Sequence, residues 1–79
     1  MAHAQLDARR LLCPMPVIRV QDQVSKLAPG DTLEVVCTDP GVLQDIPAWC
    51  RMHGHDVLKI QERANEIVFR IQVAGERAS

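Results

Sequence analysis

Glu66-Ile67-Val68-Phe69-Arg70-Ile71-Gln72-Val73 is the stretch that decides the fold. Read as an extended segment, it puts Ile67, Phe69, Ile71 and Val73 on one face and Val68, Arg70 and Gln72 on the other. This period of two marks a strand with one face in a core and the other toward water. Working outward, Thr32 to Thr38 sets Leu33, Val35 and Cys37 against Glu34 and Val36. His55 to Glu62 reads as a strand with Leu58 and Ile60 inward, joined to the first by a turn at Arg63-Ala64-Asn65. Gln5 to Arg9 reads as a short strand, with Leu6 and Ala8 opposite Asp7 and Arg9. Strands buried on both faces are apolar throughout, whereas these alternate, so the expected sheet is covered on one side only.

Helical periodicity fills the intervals. A first helix is expected from Cys13 or Pro14 to about Ala28, with Val17, Val20, Val24, Leu27 and Ala28 on one side and Arg19, Asp22, Gln23 and Lys26 on the other. Pro29-Gly30-Asp31 stops it. Asp39-Pro40 reads as an N-cap and first-position proline. The second helix then carries Val42, Ile46, Trp49 and Cys50 inward and ends near His53-Gly54. Pro47 predicts a kink in it or a restart near Asp45. The fold class expected is α+β: a two-layer α/β sandwich in the order β-α-β-α-β-β, with two helices on one face of a four-stranded mixed sheet. It forms a single domain over residues 1–79 with its core at about 5–73.

Composition narrows the function. A chain of 79 residues has one modest core and no room for a deep cavity, so its chemistry belongs at the surface or is shared with a partner. A net charge of −1 argues against binding nucleic acid by phosphate neutralisation. With Trp49 and Phe69 as the only aromatics, a base-stacking platform is not expected. No apolar run approaches the roughly 20 residues that span a bilayer, and the N-terminus lacks the pattern of a signal peptide. A soluble, cytoplasmic protein with no membrane or direct nucleic-acid partner is expected.

Three cysteines remain to be assigned. Cys37 and Cys50 fall on inward faces and read as structural thiols. Cys13 opens the run Cys13-Pro14-Met15-Pro16. Placed at the N-cap, with Pro14 and Pro16 at the first and third helical positions, its sulfur would meet the positive end of a helix dipole. Two prolines would stiffen the turn, leaving the Met15 N–H as the main free amide. Arg9, Arg10 and Arg19 would add positive potential, which favours a thiolate or persulfide anion. A helix start that merely contains a cysteine is the plainer alternative.

Other constellations are weaker. Cys50, His53 and His55, with Cys13 or His3, match no common zinc spacing, so no metal and no cofactor is expected. A cysteine hydrolase needs an oxyanion hole where the two prolines remove donors. Trp49 reads as a core residue, with a partner anchor as the alternative.

Leu6-Asp7-Ala8-Arg9, Cys13-Pro14-Met15-Pro16-Val17, Pro29-Gly30-Asp31, Thr38-Asp39-Pro40, Asp45-Ile46-Pro47, Cys50 and Gly54-His55 together resemble the TusA (SirA-like) sulfur-carrier family. The resemblance implies the same two-layer fold. It implies that Cys13 accepts a sulfane sulfur as a persulfide from a cysteine desulfurase or rhodanese-like donor. The sulfur then passes to a partner cysteine, in a DsrE-like relay toward tRNA thiolation or in sulfur oxidation. Met15 stands where Glu is frequent in the tRNA-thiolation branch, Gln44 where Arg is, and Arg10 where Gly is common, so the pathway stays open. A non-catalytic regulatory or interaction module of the same fold is the second reading, and a redox switch pairing Cys13 with Cys50 the third.

Overall fold

The computed structural model describes residues 3–12 and 14–74. The strands are β1 (His3–Ala8), β2 (Thr32–Cys37), β3 (Asp56–Arg63) and β4 (Glu66–Gln72), and the helices are α1 (Met15–Val24) and α2 (Val42–His53). They follow one another as β-α-β-α-β-β, and the sheet order is β1-β2-β4-β3. β1 runs parallel to β2 in the register Ala8↔Cys37, while β4 runs antiparallel to both β2 and β3. Two strands joined by a crossover helix must be parallel, and two joined by a two-residue loop must be antiparallel, so the mixed sheet follows from the element order.

The predicted alternation is complete in β2, and in β4 it is broken only at Val68, which is buried on the opposite face. Leu33, Val35 and Cys37 of β2 and Phe69 and Ile71 of β4 are wholly buried, and they meet Val20 of α1 and Val42 and Ile46 of α2 in one core. The opposite face carries Glu34, Val36, Val68 and Arg70.

Several boundaries differ from the sequence reading. β1 begins two residues earlier than Gln5 and ends before Arg9, because the Arg9 amide donates to the Asp7 carboxylate at 3.0 Å and turns the chain. α1 stops at Val24 rather than near Ala28. Lys26 and Leu27 bond only three residues back, to Gln23 and Val24, a tightened exit that leaves Ala28 exposed. Asp39 does not cap α2. Its carboxylate and carbonyl accept from Gly41 and Val42 in the preceding turn, and Gly41 is the cap. Pro47 lies inside one continuous helix with no restart at Asp45. α2 ends as expected, with Gly54 at φ 80° and the His55 amide reaching back to the Cys50 carbonyl at 2.8 Å.

The largest departure is in β3. A register shift between Val57 and Lys59 inserts Leu58 as an extra residue. Val57, not Leu58, packs against the core. Ile60 pairs with Phe69 and shares its face, but β3 is an edge strand at the margin of the helical layer. Leu58 and Ile60 therefore stay 50% and 45% exposed.

Candidate functional site

The parallel strands β1 and β2 end side by side at Ala8 and Cys37, so the loops leading into α1 and α2 emerge together at one end of the sheet. A cross-loop bond joins them: the Arg10 amide donates to the Thr38 hydroxyl at 2.8 Å. Arg10 adopts φ 67°, the left-handed region that a side chain with a Cβ enters at a cost. The Leu11 amide reaches back to the Ala8 carbonyl, and the Met15 amide donates to the Leu12 carbonyl at 2.8 Å, closing a turn immediately ahead of α1.

This turn changes the expected cap. Pro14, with φ −95° and ψ 14°, is the N-cap, and Pro16 is the second helical residue rather than the third. The Met15 amide is taken by Leu12, so it is not the free donor the sequence suggested. Pro16 is buried and anchors the helix start, whereas Pro14 and Met15 are exposed. Cys13 itself, and with it the expected N-cap thiol, lies outside the described residues. No acidic residue stands in the first turn of α1, so the positive end of its dipole is not offset there.

The three arginines separate into two kinds. Arg9 is engaged, its Nε 2.8 Å from Glu66 and its guanidinium 3.8 Å from Asp7. Arg10 and Arg19 are exposed, and neither forms an ion pair among the described residues. Both the Arg9–Glu66 pair and the Thr38 anchor were missed by sequence reasoning. The partners lie far apart in the chain and meet only through the sheet register.

The remaining thiols are unsuited to exchange chemistry. Burial pushes the Cys37 thiol up to about 11, with Asp39 adding to the shift. Burial likewise pushes Cys50 up to about 11, with a further contribution from Asp56. A neutral thiol is a poor nucleophile. The redox pairing of Cys50 with Cys13 falls on a residue outside the described ones. The His53 and His55 rings lie 4.9 and 5.2 Å from that of Trp49, which is partly buried against the core, and His55 Nδ1 accepts from the Ala74 amide at 3.0 Å. No group of three potential metal ligands occurs among the described residues. No helix among them is long and apolar enough to cross a membrane.

Fold and site define a small two-layer α/β domain in which a Cys-Pro-x-Pro sequence stands between the first strand and the first helix and the other two thiols are core residues. The chain belongs to the sulfurtransferase TusA family, whose model matches residues 4–73. It is 42% identical over 69 residues to the sulfur carrier protein TusA of Pseudomonas paraeruginosa, covering 87% of each chain. Identity is also 42% over 69 residues to the sulfur carrier protein TusA of Pseudomonas putida, covering 87% of this chain and 86% of that one. Among solved structures, a SirA-like protein from Desulfitobacterium hafniense superimposes with a TM-score of 0.76 at 26% identity, over 92% of this chain and 99% of that chain.

Proposed function

We propose that this chain is a sulfur carrier that holds a sulfane sulfur as a persulfide on Cys13 and works between a sulfur donor protein and an acceptor protein. Membership of the TusA family carries the reading, and likeness to named sulfur carriers favours it over a non-catalytic module. Elimination among the thiols supports the residue: of three cysteines, Cys37 and Cys50 are buried with raised pKa, which leaves Cys13. Pro14, Met15 and Pro16 form the stiff mount. Arg10 and Arg19 supply positive potential and a docking surface, and Arg9 acts mainly as a brace.

The donor would be a cysteine desulfurase or a rhodanese-like protein, and the acceptor a DsrE-like protein cysteine, in a cytoplasmic relay toward tRNA thiolation or sulfur oxidation. In each transfer the acceptor thiolate attacks the outer sulfur of the persulfide. One S–S bond forms as the other breaks, the thiolate that held the sulfur leaves (the donor's on loading, that of Cys13 on delivery), and there is no net oxidation.

Incubation with a purified cysteine desulfurase and cysteine, followed by intact mass measurement, tests this reading. A single reducible sulfur adduct is expected on the wild type and none on Cys13→Ser. An adduct that persists in Cys13→Ser refutes the assignment.

A further inference from the structure

The side chains flanking the thiol position are apolar and unusually open. Leu12 is 73% exposed, Met15 40% and Ile18 48%. The Leu12–Met15 backbone bond couples the first two, and helical spacing places Met15, Ile18 and Arg19 on one face of α1. An exposed apolar cluster beside a reactive position marks a contact surface. The charges around it leave a positive surplus, since the carboxylate nearest Ile18, Asp22, is offset by Lys26 at 3.6 Å. Arg10 and Arg19 have no carboxylate partner among the described residues.

Arg10 carries a second signal. It occupies the left-handed region at φ 67°, held there by the Thr38 hydroxyl, where glycine would fit without a Cβ penalty. Strain retained at a non-glycine residue beside a site points to a use for its side chain.

We propose that this surface selects a protein partner whose cysteine is set among apolar side chains with an acidic rim. Leu12, Met15 and Ile18 receive the apolar part, and Arg10 and Arg19 receive the rim. The proposal rests on the sulfur-carrier reading and specifies the partner's chemistry.

The test uses the full chain loaded with inorganic polysulfide, a small sulfur donor that needs no docking. Transfer is then timed to two short cysteine peptides with the same leucine neighbours, one ending in Asp and Glu and the other in Lys. The acidic peptide is expected to react about tenfold faster at low salt, with the advantage shrinking as salt rises. Arg10→Gly and Arg19→Gln each reduce the advantage, read as the ratio of the two peptide rates so that a change in the reactivity of the sulfur itself cancels, and Met15→Glu slows transfer to the acidic peptide more than to the lysine peptide. Equal rates for the two peptides, or an advantage unchanged in Arg10→Gly, overturn the proposal. So does a lowered melting temperature for Arg10→Gly, which would assign Arg10 to the fold. Failure of polysulfide to load Cys13 refutes the carrier reading itself, whereas normal loading with equal peptide rates refutes only the partner chemistry.

Discussion

At Arg10 the backbone and the side chain make opposite demands. A residue with a Cβ in the left-handed region costs about 1–2 kcal/mol relative to its relaxed conformation. Glycine removes that cost but adds about 0.5–1 kcal/mol of lost chain entropy. Since the Thr38 bond uses only the Arg10 amide, it survives the substitution. Arg10→Gly is therefore expected to leave stability unchanged or raise it by up to about 1 kcal/mol, measured as the midpoint of urea unfolding. Arg9 differs in kind, because its ion pair with Glu66 ties the end of β1 to the start of β4. Two adjacent arginines that look alike in the sequence thus divide into a brace and an open charge. Only the strand register, which brings Glu66 within reach, separates them.

At the scale of elements, the central and edge strands respond differently to mutation. Phe69 is fully buried in β4 between β2 and β3, so Phe69→Ala is expected to cost about 3–5 kcal/mol. Ile60 sits directly opposite on β3 but is 45% exposed, so Ile60→Thr should cost under about 1 kcal/mol. Thermal melts of the two variants would check the contrast, and comparable losses would refute the edge description. The same contrast explains what was legible in the sequence. β2 could be read because alternation and burial coincide along it, and β4 because its inward residues Ile67, Phe69 and Ile71 are all buried, although Val68 opposite them is buried as well. β3 misled because one inserted residue at Leu58 shifts the phase, and apolar side chains at a sheet margin look like core residues in a linear reading. The helices were found from their period, but their ends were not, because tight turns around Lys26 and Asp39 absorb the expected caps. Of the site, Cys-Pro-Met-Pro was visible as a motif. That its Met15 amide is consumed by Leu12, and that Thr38 holds Arg10, depends on loops that only the sheet brings together.

For the molecule as a whole, the buried thiols couple stability to alkaline pH. A domain of 79 residues has a modest stability, so a small change in ionisation is measurable. Folding raises Cys37 and Cys50 from 9.0 to about 11, chiefly by burial. Below pH 9 both thiols are protonated in the folded and the unfolded chain, and their contribution to stability is fully present. Between about 9 and about 11 the unfolded chain loses these protons first, so it binds fewer protons than the folded chain and stability falls as pH rises. Above the folded values the loss levels off. Melting temperature should therefore decline from about pH 9 upward. The comparison is with a Cys37→Ala, Cys50→Ala double variant, which separates the two core thiols from the rest of the chain. That variant should be less stable at neutral pH, because it leaves cavities in the core, but should show a shallower alkaline decline. Parallel declines in the two proteins would refute the link between the core thiols and pH. Cys13→Ser, by contrast, removes the thiol assigned to transfer and leaves both core thiols in place. Its alkaline profile is expected to match the wild type while its sulfur loading is lost, separating the thiol that works from the two that hold the core.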